Sequence, residues 1–189
     1  MAARKKSSRK RTPARGDDGG GLWAPRVGIV SLRLFTGGLW LHTAYMKLFG
    51  NADQSLFENV AHFRDGAYTR IVERGIETPP EVFGEPLTFF SDFLASVMLP
   101  ARSFMAPAIL VFELLLGVSL VFGIGVRLFG VLGAGLTLGF AMARSLPLFT
   151  VKAPNYLLVA VLLMLALTAA GRIAGFDKRL CHRWPRWIS

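Results

Sequence analysis

The sequence predicts an all-α, polytopic membrane protein: four transmembrane helices in a bundle, with a short amphipathic or re-entrant helical outer loop. Three observations predict it. Of the 189 residues, 52% are hydrophobic and 18% charged, and the mean hydropathy is +0.44. The charges collect mainly in the two tails and one loop. Between them lie the apolar runs Val27–Phe49, Met105–Val126, Leu128–Phe149 and Tyr156–Ile173, each near the ~20 residues that cross a ~30 Å hydrocarbon layer. A soluble domain of this length has too little interior to bury four such runs.

The chain begins with a basic segment. Met1–Arg26 carries eight Lys/Arg against Asp17 and Asp18. The stretch Arg4-Lys5-Lys6-Ser7-Ser8-Arg9-Lys10-Arg11 is followed by Pro13 and a glycine run, so it reads as a disordered tail (residues 1–26) drawn to anionic lipid headgroups rather than a nucleic-acid patch. The first apolar run is too long for a signal peptide, contains Arg33 and lacks a small-residue cleavage site, so it is expected to be retained. Gly50–Ser103 carries eight Asp/Glu against four Arg, and Arg172–Ser189 five Lys/Arg against Asp177. The positive-inside rule then places both termini in the cytoplasm of a cell with a plasma (inner) membrane and residues 50–103 outside. Four spans satisfy that parity, and the turn Gly123-Ile124-Gly125, closed by Arg127, falls inside. Arg144–Pro154, with Arg144 and Lys152, is an exception outside. The domain plan is a membrane unit at 27–175, including the outer loop, and a second basic tail at 176–189.

Within the outer loop, Ser55-Leu56-Phe57-Glu58 has the spacing of a capping box, and Leu56, Phe57, Val60 and Phe63 recur at helical intervals. An amphipathic helix on the outer leaflet follows. Beyond Pro79-Pro80 and Pro86, the run from Leu87 through Phe89, Phe90, Phe93 and Leu94 to Met98 forms a second helix of about 13 residues, too short to span. It is expected to lie at the interface or to act as a lid over the mouth of the bundle. On the third span Gly135, Gly139 and Ala143, with Gly133 beside them, suggest a ridge for close helix packing or for a homo-oligomer. Pro154 suits the first turn of the fourth span, and Asn155 and Tyr156 read as anchors there.

Several chemistries are excluded. Cys181 is the single cysteine, so no internal dithiol relay exists. His42, His62 and His182 are too dispersed for one metal site or a bis-histidine haem; a lone pigment or haem contact through His42 is the alternative to a packed interfacial side chain. No nucleotide-binding loop, Gly-x-Ser-x-Gly or His-Glu-x-x-His is present. No internal repeat of the transporter kind is evident.

The ionisable residues inside the spans carry the remaining information. A charge in hydrocarbon costs roughly 2.5–3.5 kcal/mol on insertion scales, so Arg33, Glu113 and Lys47 need partners or a wet cavity. At 100° per residue Gly37, Trp40, Ala44 and Lys47 project within about 40° of Arg33, whereas His42 falls on the opposite side. An Arg33–Glu113 pair is therefore expected, bridging a depth difference of roughly 9 Å, with Lys47 near the outer mouth of the same stripe. Such a pair either locks two helices together or forms a reactive centre.

Arg33-Leu34 through Gly37-Gly38 to Lys47-Leu48-Phe49-Gly50, then Glu113-x-x-x-Gly117 leading through Gly123 to Arg127, then a span ending near Gly171 with Asp177 after it, resembles the DoxX/DoxD group of four-helix bacterial membrane proteins. The likeness covers the four spans. It implies that Arg33, Lys47 and Glu113 are the family-type polar positions. It also implies association with quinone-reducing or thiol-defence complexes. On this reading the chain is the quinone-facing subunit of an oxidoreductase without a redox centre of its own. Glu113 relays a proton, Arg33 or Lys47 holds a quinone carbonyl, and Trp40 with Phe89, Phe90 and Phe93 encloses the ring. Electrons then come from a partner subunit. The alternative is a noncatalytic assembly subunit that docks through its glycine and phenylalanine surfaces, outer loop and tail. The long outer loop and basic tail depart from the shorter members of the group.

Overall fold

A helix of 27 residues, α1 (Trp23–Phe49), opens the described part of the computed structural model, which describes residues 23–82, 85–145, 154–168, 170–173 and 175–177. At 1.5 Å per residue α1 is about 40 Å long. Of the expected stripe Arg33, Gly37, Trp40 and Ala44 are buried and Lys47 is half-buried, while His42 is exposed. The basic tail, Lys152, Cys181, His182 and the end of the second tail lie outside the described residues.

The outer segment is helical through most of its length. Helix α2 (Leu56–His62) runs through a π turn at Phe63–Tyr68 into α3 (Thr69–Glu77). Its start is the predicted capping box, with the Ser55 amide donating to Glu58 Oε2 at 2.7 Å and the Glu58 amide donating to Ser55 Oγ at 3.4 Å. A two-stranded antiparallel pair, β1 (Glu81–Val82) with β2 (Glu85–Pro86), turns the chain. Helix α4 (Thr88–Phe93) and a second π turn, Leu94–Met98, follow.

The capping box makes an acid-sensitive helix start. Hydrogen bonds from the Ser55 backbone and hydroxyl hold the exposed Glu58 carboxyl below its ordinary range. A carboxylate lowered by folding contributes stability above its ordinary pKa of about 4.3 and loses it as pH falls through the folded value. The protection factors of the amides at residues 56–62, taken relative to the intrinsic exchange rate at each pH, should therefore fall in acid. Ser55→Ala should remove about 1 kcal/mol locally at neutral pH, read as loss of protection confined to the same amides.

Three further helices complete the described residues: α5 (Arg102–Phe122), α6 (Val126–Ala143) and α7 (Pro154–Leu167), with a 3₁₀ turn at Ala170–Arg172. Among the described residues α5 and α6 are the two helices long and apolar enough to cross a membrane by length and composition, and α7 is a shorter apolar helix of 14 residues. Pro154 begins α7, as its missing N–H allows. Gly123 and Gly125, at φ 68° and 63°, make the tight α5–α6 turn in left-handed backbone that a side chain would strain.

Helix α1 packs along α5 and α6 along α7. Bare backbone makes the first contact close: a methyl added at Gly37 would lie 2.9 Å from Val121, and one at Gly117 would lie 2.7 Å from Leu41. Gly130 serves the same purpose against Leu162 and Ala166, and Gly133 against Leu116. Of the two uses expected of the glycine ridge, packing within the bundle does not involve Gly135 or Gly139. Gly135 and Gly139 have no atom within 4 Å of where a Cβ would stand, so they face open space and the packing glycines lie earlier on α6.

Two cores result. One joins Trp40, Leu116, Leu120, Ala134, Leu162 and Leu165 across α1, α5, α6 and α7. The other joins Phe63, Tyr68, Val72 and Leu94 of the outer segment to Ala106, Ile109, Leu110 and Ala143. The outer helices are thus seated on the ends of α5 and α6. Ser91 Oγ donates to the Gly75 carbonyl at 2.9 Å and Tyr68 Oη to the Met98 carbonyl at 3.0 Å. Ser145 Oγ meets Thr78 at both its hydroxyl and its carbonyl.

Candidate functional site

Glu113 occupies the middle of α5 with its side chain 2% exposed, and an anion so placed needs a cation. Lys47 supplies it. The Lys47 ammonium donates to both carboxylate oxygens, at 2.6 Å to Oε1 and 2.7 Å to Oε2. It also stands over the Phe63 ring, 4.8 Å from the centroid, and 5.9 Å from that of Phe140, positions in which ring quadrupoles favour a cation. Two of its three N–H groups are engaged by Glu113.

The expected Arg33–Glu113 pair does not form, and helix register is the reason. With Gly37 against Leu120 and Val121, and Gly117 against Leu41, the antiparallel helices bring Arg33 level with Gly125 and Glu113 level with Tyr45. Those levels are about 18 Å apart at 1.5 Å per residue, beyond the reach of an arginine. Lys47 lies half a turn from the Glu113 level and its long side chain covers the difference.

Arg33 closes the other end of α1. Its Nη1 donates to the Ala170 carbonyl at 2.8 Å and the Ile173 carbonyl at 3.1 Å. The buried Asp177 carboxylate acts on the guanidinium electrostatically. Asp177 also accepts from the Gly125 amide at 2.7 Å and the Val126 amide at 3.3 Å, at the first turn of α6, where anions are favoured.

The Lys47–Glu113 pair lines a cavity of about 270 Å³. Helix α1 contributes Leu39, Trp40, Thr43 and Lys47, and the outer helix Phe63, Ala67 and Ile71. Glu113 comes from α5, Thr137, Phe140 and Arg144 from α6 and its C-cap, and Asn155 and Leu158 from α7. Five helical segments converge on one ion pair. Phe63 and Ala67 belong to the π turn, whose extra residue re-aims side chains and recurs at functional sites.

Trp40 is 6% exposed, and its indole N–H meets no acceptor among the described residues. A buried donor left so costs about 1–3 kcal/mol. An acceptor brought to it by a ligand would recover that cost. Among the described residues no three His, Cys, Asp or Glu side chains come together as metal ligands.

The structure unites Lys47, Glu113 and Trp40 and separates the other candidates. Phe90 and Phe93 line a different chamber, against Tyr68, Leu94 and Gly139, and Phe89 is 80% exposed. They sit on α4, which packs beside the outer helix, while the residues covering the ion pair are Phe63, Ala67 and Ile71 of that helix itself. The outer side chains beside the ion pair therefore come from the first outer helix and not from the second. Asn155 and Arg144, read as an anchor and a loop charge, also line the cavity. Asn155 carried a usable signal: an amide one residue after the helix-starting proline sits at the level of the outer mouth.

A family model described as DoxX matches residues 28–146, more than half of the chain. No curated protein and no solved structure matches it.

Proposed function

The chain belongs to the DoxX family of membrane proteins, and from that premise we propose that its Lys47–Glu113 cavity binds a quinone headgroup, in an inner-membrane subunit that receives electrons from a partner subunit. In this reading α1, α5, α6 and α7 are four spans forming one unit over residues 27–175. The acidic outer segment lies outside and both basic tails face the cytoplasm, as the positive-inside rule requires.

The single observation that carries the reading is a paired lysine and glutamate in the wall of an aromatic-lined cavity. A closed ion pair whose role is only to lock helices gains nothing from a chamber beside it. The cavity volume of about 270 Å³ exceeds the roughly 150 Å³ that holds a benzene ring, so a substituted six-membered ring fits. Lys47 has a third N–H for a ring carbonyl oxygen, and the Trp40 indole offers another donor. The rings of Phe63 and Phe140 flank the Lys47 ammonium. Glu113, held by Lys47 alone among the hydrogen bonds described, is placed to hold and pass a proton. Bound there, a quinone would supply the two-electron, two-proton acceptor chemistry that the side chains lack.

Purification in mild detergent followed by solvent extraction should recover quinone in stoichiometric amount. Lys47→Met should weaken binding of an added benzoquinone headgroup by about tenfold or more, the effect of losing one charge-assisted hydrogen bond, and Glu113→Gln should weaken it by releasing the Lys47 ammonium from its place in the cavity wall. Absence of extractable quinone, with headgroup affinity the same in all three proteins, would refute the reading. A partner that co-purifies in fixed ratio would identify the electron donor.

A further inference from the structure

Beside the polar cavity lies a second chamber of about 170 Å³, between α3, α4 and α6. The two share Ile71 and Phe140 as a common wall. The second chamber differs in chemistry. The Tyr68 hydroxyl is taken up by the Met98 carbonyl, and the other lining side chains are apolar, among them Val72, Phe90 and Phe93. Its α6 wall, otherwise Leu136, Phe140 and Ala143, is bare backbone at Gly135 and Gly139, which meet nothing within 4 Å of a Cβ position. In a chain that sets Gly37, Gly117, Gly130 and Gly133 against neighbouring helices, these two glycines leave room rather than close it.

We propose that the headgroup ligand is a tailed amphiphile: its ring lies at Lys47 and Glu113, and the first branched unit of its apolar tail passes Phe140 into the chamber walled by Gly135 and Gly139. The proposal rests on the quinone reading and deepens it. The volume sets the length of tail that is recognised. A chamber of 170 Å³ is close to the roughly 150 Å³ that takes one benzene, so it admits a unit of about five or six carbons and the remainder of the tail continues into lipid. A bilayer acyl chain has the same apolar chemistry, but it carries no ring to place beside the ion pair, and a lipid occupant would not be linked to headgroup binding.

The full chain in lipid nanodiscs is titrated with a benzoquinone headgroup bearing no chain, one isoprenoid unit or two, with affinities corrected for partition into lipid. The first unit should tighten binding about tenfold and the second add little, as filling one apolar cavity implies. Gly139→Leu and, separately, Gly135→Leu fill the chamber and should each erase that gain while the chain-free headgroup binds within about twofold of wild type. Two glycine positions guard against one variant that fails to fold. A gain that survives both substitutions, or no gain in the wild type, overturns the tail site while headgroup binding keeps the quinone reading standing. A chain-free headgroup that does not bind, or binds Lys47→Met equally well, overturns the quinone reading and the tail site with it.

Discussion

Lys47→Met is expected to destabilise the protein by about 3–5 kcal/mol, because it leaves the Glu113 carboxylate buried without its cation. Methionine keeps the length and most of the volume of lysine, so the loss reports the charge rather than a cavity. Glu113→Leu should cost a comparable amount by stranding the ammonium. The double variant Lys47→Met/Glu113→Leu should recover most of the loss, since an apolar pair of similar volume needs no compensation in this setting. Denaturant titration in mixed micelles reads all three. A Lys47→Met protein as stable as wild type would mean that the pair is not formed. The double variant also separates architecture from chemistry. If the pair exists for ligand binding, this stable protein binds no quinone headgroup; if it serves only to join α1 to α5, the double variant keeps whatever binding the wild type has.

What could be read from the sequence was the buried face of α1, and what could not was the level at which two helices meet. A period of 100° per residue suffices to put Arg33, Gly37, Trp40 and Ala44 on the buried side of α1 and His42 outside. The spacing Ser55 to Glu58 suffices for a capping box, and two glycines around Ile124 for a tight turn. Pairing Glu113 with its cation required the α1–α5 register, which is set by Gly37 against Val121 and Gly117 against Leu41. Hydropathy marks span ends only to within a turn or so, and α5 begins at Arg102 rather than Met105. That earlier start alone would bring Glu113 toward the Arg33 level, so it is the stagger of the two helices, and not their ends, that decides for Lys47. The small residues were visible but their partners were not: Gly133 packs and Gly135 does not, although they are two positions apart. Phe63, Phe140 and Asn155 come from three elements distant in sequence and meet only in the folded cavity.

The second large effect is expected at the opposite end of the bundle. Asp177→Ala should destabilise by about 3 kcal/mol, because it removes the acceptor for two buried amides at the start of α6 and a counter-charge for buried Arg33. The Asp177 amide donates to the Gly123 carbonyl at 2.9 Å and that of Phe176 to Phe122 at 3.2 Å, so the carboxylate is delivered by a segment already pinned to the α5–α6 turn. Gly171 and Gly175 bring the backbone close enough: a methyl at Gly175 would lie 2.9 Å from Arg33 Nη1. Asp177→Asn retains one carbonyl acceptor and should lose roughly half as much. Arg33→Leu should match Asp177→Ala in size, and the two together should cost at least 1 kcal/mol less than their sum, since they share one network. Amide exchange should show the loss at residues 122–127 and 170–177. Lys47 stands fourteen positions further along α1, about 21 Å away, so headgroup binding by the folded Arg33→Leu protein should stay within about twofold of wild type, the margin left when independent sites are perturbed. Selective loss of that binding would return Arg33 to the ligand site. Additivity of the two substitutions would dissolve the network that ties the chain after α7 to the first helix.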